Sequence, residues 1–258
     1  MPAIFRFRLV ATTEFKLKES IGAFLFRTIL AILELDDPDY ASELMKITEN
    51  GQELPPIRIL APPGGFRRLE IKDIEIGKPF NLKVAVLNED AFEKLLKGVG
   101  KEARLQKGVT LNHASIRIVL FNTDKLLTYQ DFICEGIKSE SFKFNIEMPI
   151  VMEKLTIPTP QWIMDRLLES WERYSDTKLP AQVIPDDILE LQNFNLHSLT
   201  VQIDQKELQG VKGKIQFKLA VKDEAIQETI WALCNYAEFT GFGMFSHLGY
   251  GTVTFSHR

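Results

Sequence analysis

A chain of 258 residues, 45% apolar and 26% charged, is long enough for one large domain or two smaller ones, and none of its apolar runs approaches the roughly 20 residues that span a bilayer. A net charge of −4 and a pI near 5.7 speak against a broad, nonspecific grip on nucleic acid, although residues 1–115 hold 17 Lys/Arg against 16 Asp/Glu while residues 116–258 hold 14 against 19. Cys134 and Cys234 stand a hundred positions apart, offer neither metal-ligand spacing nor a disulfide framework, and are expected to be buried reduced thiols.

The first strand, AIFRFRLVA at residues 3–11, alternates apolar and other side chains. Arg6 and Arg8 inside that stretch break the layout of a signal peptide, so the expected compartment is the cytoplasm. Residues 19–34 carry Phe24, Ile29, Leu30 and Leu33 at helical spacing, with Arg27 interrupting the apolar run FLFRTIL. A second helix starts at Pro38 behind the capping Asp37. PIRILAPP and FRRLEIKDIEI read as short strands broken by Pro and Gly, the latter with the basic pair Arg67 and Arg68. NLKVAVL is a buried strand, and NEDAFEKLLKGVG a helix capped by Asn88 and expected to end at Gly98 or Gly100. Strand-like segments continue to about residue 122.

The second half repeats this plan from SFKFNIEM onward. Thr159 and Pro160 open a helix with Ile163, Leu167, Trp171 and Tyr174 on one face. Two strands follow, LHSLTVQIDQ and KGKIQFKLAV. A helix behind Asp223 then buries Ile226, Ile230, Leu233 and Ala237, and GYGTVTFSH closes the chain as a strand. The economical reading is α+β: two tandem ferredoxin-like βαββαβ domains, 1–120 and 121–258, each a sheet covered by helices on one face. Trp162, Trp171 and Trp231 fit core positions. No nucleotide-binding G-x-x-x-x-G-K-[ST] loop and no G-x-S-x-G elbow is present.

The stretch FTGFGMFSHLGYGTV places Gly241, Gly243, Gly249 and Gly251 between a helix and the last strand. Glycines allow close backbone approach, and exposed amides of such a loop can hold phosphate oxygens. Gly-rich turns between helix and strand are also common as plain turns. His247 inside the loop, if exposed, would titrate near its ordinary pKa of roughly 6.5.

Four segments in one order resemble the CRISPR repeat-RNA endoribonucleases of the Cas6 type, members of the RAMP superfamily: IPTPQWIMDRLLESWERY, GVKGKIQFKL, LCNYAEFTGFG and HLGYGTV. The resemblance implies a tandem ferredoxin-like fold and an endoribonuclease needing neither metal nor cofactor. In such an enzyme the ribose 2′-hydroxyl attacks the adjacent phosphate, leaving a 2′,3′-cyclic phosphate. It further implies repeat RNA as partner, CRISPR effector subunits as candidate partners, no membrane, and a monomer or homodimer. RNA contacts are expected at Gly241, Gly243, Ser246, Gly249 and Gly251 of the loop and at Lys212 and Lys214.

One position departs from the family pattern. The four histidines are His113, His197, His247 and His257, and the N-terminal region where the family commonly keeps a catalytic histidine holds Met45 and Lys46 instead. Arg27, Lys46 and His247 are therefore the candidate catalytic residues, with Tyr40 as a further proton donor. Each has a plain alternative: a solvent-stripe arginine, a surface lysine, a loop histidine, a packing tyrosine. The alternatives are a non-cleaving repeat-RNA-binding member of the family and a structural subunit of a CRISPR effector complex.

Overall fold

The fold was analysed in a computed structural model, which describes residues 1–17, 19–49, 51, 54–61, 73–111, 114–134, 139–153, 157–186, 188–203 and 206–257. Arg67, Arg68 and His113 lie outside the described residues.

In the first half the order is β1 (Ala3–Ala11), β2 (Phe15–Lys16), α1 (Ile21–Glu34), α2 (Pro38–Thr48), β3 (Ile57–Leu60), β4 (Asp73–Ile74), β5 (Pro79–Val86), α3 (Glu89–Leu105), β6 (Val109–Leu111) and β7 (Ala114–Leu126). The main sheet runs β3-β5-β1-β7-β6, the antiparallel ferredoxin-like order with β6 added at one edge. β7 carries this sheet to Leu126, so a division at residue 120 falls inside a strand. Alternation along β1 turns Phe5, Phe7 and Leu9 toward α1 and α3 and leaves Arg6 and Arg8 exposed on the opposite face.

The second half contains α4 (Tyr129–Cys134), β8 (Ser141–Val151), α5 (Pro160–Tyr174), β9 (Leu189–Ile203), β10 (Lys206–Leu219), α6 (Glu224–Thr240) and β11 (Val253–His257). Its sheet order, β11-β8-β10-β9, repeats the ferredoxin-like arrangement. α5 and α6 cover one face and bury Phe142, Phe144, Phe217, Trp171 and Trp231 in a second core. Trp162 packs only partly buried against that core. The short α4 adds Tyr129 and Phe132 to it.

The caps act as the side-chain chemistry dictates. Ser20, Asp37, Asn88, Thr159 and Asp223 each accept a hydrogen bond from the amide three residues on, and Pro38 and Pro160 fill first-turn positions where no amide partner is needed. Two expectations are corrected. α3 runs through Gly98 and Gly100 to a left-handed cap at Gln106. A Cβ on Gly98 would sit 2.3 Å from the Ile32 carbonyl oxygen, so this glycine lets α3 approach α1 and does not end the helix. Cys234 is buried, but Cys134 is exposed at the end of α4.

The halves are joined by shared cores. Val201 and Ile203 of β9, Val151 of β8, and Leu248 and Tyr250 beyond α6 belong to the first half's core; Ile4, Leu60, Ala85 and Leu87 belong to the second's. Among the described residues no helix is long and apolar enough to cross a membrane.

Candidate functional site

The loop from Gly241 to Thr252 connects α6 to β11 and lies between the two halves. Gly241 ends α6 at φ 55°, in the left-handed region open to glycine, with its amide donating to the Ala237 carbonyl at 2.7 Å. Gly251 has φ 65°, and a Cβ there would lie 1.8 Å from the Phe242 carbonyl oxygen. The loop closes on itself and on its surroundings. Phe242 N donates to Gly251 O, Gly251 N to Pro149 O, Met244 N to Val151 O, Phe245 N to Gly51 O, and Leu248 N and Gly249 N to Phe245 O and Ser246 O. The amides expected to be exposed for phosphate are thus largely spent on protein carbonyls.

Phe245 is held at φ 59°, a left-handed conformation that costs a non-glycine residue about 1–3 kcal/mol. Its ring covers Gly51, just beyond the end of α2. Leu248 packs on α1 where Gly22 leaves room: a Cβ on Gly22 would meet the Leu248 carbonyl oxygen at 2.1 Å. Between these anchors sits His247, only 5% exposed, its ring 4.9 Å from that of Phe26 and 6.2 Å from that of Phe245. Its Nδ1 has no hydrogen-bond partner. Burial, helped by the positive charge of Arg58, pushes its pKa down to about 3, so the imidazole is neutral at pH 7. The near-neutral titration expected of an exposed loop histidine is corrected on this ground.

The other candidate residues lie around and apart from this loop. Arg27 follows Phe26 on α1 but faces solvent, paired with Glu19 at 2.9 Å. Lys46 is exposed in the last turn of α2, beside the exposed Met45 and five residues before Gly51. Arg27 and Lys46 are thus exposed cations on α1 and α2, whereas the His247 imidazole is enclosed between Phe26 of α1 and Phe245. Ser246 is buried. Lys212 and Lys214 are not on the loop: they lie on β10, in register with His197 and Asn195 of β9. Tyr40 lines a separate cleft of about 340 Å³ with Glu43, Asn88, Lys94 and Tyr174. Lys94 Nζ stands 4.0 Å above its ring, and burial raises its hydroxyl pKa, which disfavours the phenolate.

Residues 142–253, from β8 to the start of β11, match the family model of the CRISPR-associated endoribonuclease Cas6. This segment carries the Cas6 family's sequence pattern. No curated protein sequence matched the chain. Among solved structures, the chain is similar to a Cas6 product complex at TM-score 0.75 and 19% identity, over 99% of both chains. It is similar to Thermus thermophilus Cas6 at TM-score 0.68 and 18% identity, over 99% of this chain and 98% of that one. A Cas6-related protein from Pyrococcus furiosus matches at TM-score 0.56 and 12% identity, over 99% of both. At these identities the likeness shows a shared fold, two tandem ferredoxin-like domains, along the whole length.

Within this Cas6-type fold, one residue escaped the reading of the sequence. Arg58 on β3 is 1% exposed and donates from Nη2 to the Thr252 hydroxyl at 3.0 Å. The available signal was a lone arginine inside the apolar run PIRILAPP. An arginine there is either at an exposed edge or buried against something that needs it, and only the three-dimensional arrangement decides between them.

Proposed function

We propose that the protein binds CRISPR repeat RNA and cuts it by attack of a ribose 2′-hydroxyl, leaving a 2′,3′-cyclic phosphate and a free 5′-hydroxyl without a metal ion. The observation that carries this reading is the match of residues 142–253 to the Cas6 endoribonuclease family, on a chain whose two halves both have the fold. Among the similar structures are a Cas6 product complex and a RAMP protein binding different RNA substrates. The attack requires an RNA 2′-hydroxyl, which restricts cutting to RNA, and a cation for the charge that builds on the phosphorane. Arg27 and Lys46, both exposed, supply the cations, and Arg27, paired with Glu19, stands at the surface where a phosphate competes for it. His247, enclosed and neutral, acts on RNA through the loop it packs. Lys212 and Lys214 contribute backbone contacts along β10.

Synthetic CRISPR repeat RNA tests this. Cutting is expected to persist in excess chelator, to yield a cyclic phosphate, and to stop when the sugar upstream of the cut is 2′-deoxy. A requirement for added magnesium with a 5′-phosphate product would refute the mechanism. Arg27→Ala is expected to slow single-turnover cutting by about 10²-fold with binding nearly kept, because the lost contact forms chiefly in the transition state.

A second reading has its own observation. No histidine precedes His113, and His247 is shielded from solvent. A repeat-RNA-holding member that does not cut, or a structural subunit of an effector complex, fits that arrangement. Intact RNA recovered from a tight complex would establish the first, and co-purification with further subunits the second.

A further inference from the structure

We propose that Arg58 is the positioning residue that sets the shape of the glycine loop for RNA; this rests on the RNA-binding reading above. β3 presents Ile57 and Ile59 to the first core and, by strand alternation, Arg58 and Leu60 to the opposite face. That face is covered by the other half, and the guanidinium enters beneath the loop. Thr252 is where it takes hold. The Thr252 hydroxyl donates to Gly249 O at 2.7 Å and accepts from Arg58 Nη2 at 3.0 Å and from Ala61 N at 3.4 Å. A hydroxyl has one proton and two lone pairs, so these three contacts use its full capacity. The Thr252 carbonyl in turn accepts from Glu147 N and Met148 N of β8. One side chain thus connects β3, the loop and the second sheet.

Gly241 shows how closely the guanidinium fits. A Cβ at this position would lie 2.3 Å from Arg58 Nη1 and 2.8 Å from Nη2. The loop's first glycine therefore makes room for the arginine as well as for its own backbone turn. Stability alone does not account for this choice. Nε and Nη1 are buried with no hydrogen-bond partner, and burial draws the Arg58 pKa down to about 9, leaving it charged at neutral pH. An enclosed cation with donors unspent is unfavourable, and an apolar side chain of similar length would pack there at least as well. What the arginine adds is a fixed direction: a planar group that holds Thr252 and Gly241 in one arrangement.

The test compares Arg58→Met, Arg58→Lys, Thr252→Val and the double variant Arg58→Met/Thr252→Val, with thermal midpoint and affinity for the synthetic repeat RNA both measured. Arg58→Met is expected to keep or raise the thermal midpoint while weakening RNA binding at least tenfold. Arg58→Lys should recover part of that loss, and the double variant should bind no worse than Arg58→Met. Unchanged affinity in Arg58→Met overturns the proposal. So does a parallel fall of midpoint and affinity that lysine does not relieve. If the unaltered protein fails to bind the RNA, the RNA reading fails by itself. The hold on the loop is then judged by amide hydrogen exchange at Gly249 and Gly251, which should quicken in Arg58→Met; unchanged exchange overturns the proposal there.

Discussion

The connection after the last helix is short and open in the first half and long and enclosed in the second. α3 ends at a left-handed Gln106, turns at Gly108 and enters β6 at once, with Gln106 and Lys107 exposed. α6 ends at Gly241 and is followed by eleven residues before β11, most of them buried against α1, β3 and the end of α2. Both connections contain positive-φ glycine, yet one serves a surface turn and the other a joint between halves. Glycine content reports where a backbone must bend or approach something. It does not report whether the approaching partner is RNA or the rest of the protein.

The sharpest way to break this comparison is a matched pair of substitutions. Gly251→Val would force a β-branched residue to φ 65° and onto the Phe242 carbonyl, and should destabilise by about 4 kcal/mol or more in urea unfolding. Gly108→Val meets Ile116 O at a less severe 2.5 Å and should cost roughly half as much. Equal losses would mean that the enclosed loop is no more constrained than the open one.

Acid provides the next largest effect. With the His247 pKa near 3 in the folded protein and about 6.5 when unfolded, the unfolded chain binds the extra proton between those values. Its contribution to stability is therefore complete above about pH 6.5 and is lost progressively as pH falls toward 3. Lowering the pH from 7 to 5 should remove about 2 kcal/mol through this site, and His247→Phe should abolish that part of the slope. An unchanged slope would place the imidazole in water.

Helix caps should be indifferent to the contrast. Asn88 accepts from Ala91 N at 3.0 Å and Asp223 from Ile226 N at 3.1 Å, so alanine at either should cost about 1 kcal/mol. The smallest change is Gly100→Ala, where nothing lies within 4 Å of the added methyl; helix propensity should make it stabilising by about 0.5–1 kcal/mol.

What the sequence revealed, and what it hid, follows the reach of its signals. Caps such as Asp37–Pro38 and Thr159–Pro160 act over three or four residues, and both helices begin where these residues place them. Alternation in AIFRFRLVA and SFKFNIEM likewise needs only neighbours to be read. Gly98 is the opposite case: its role lies in Ile32, sixty-six positions earlier, and locally it looks like a helix end. The burial of His247 depends in the same way on Phe26, and that of Arg58 on Thr252, 194 positions away. The glycines and the exposed Arg27 and Lys46 were identifiable from their own surroundings in sequence. The partner that encloses the loop was not.

The β9–β10 hairpin has a consequence for how such a protein can be divided. Its outer portion, with Leu199, Val201, Ile203 and Leu208, leaves its own sheet's core and packs into that of the first half, alongside Leu248 and Tyr250. The segment 142–253 matches one family model, yet part of its hairpin completes the core of the first half. Cut free, it would carry an apolar hairpin tip into water, and the remaining half would lose the plug that Leu248 sets against Gly22.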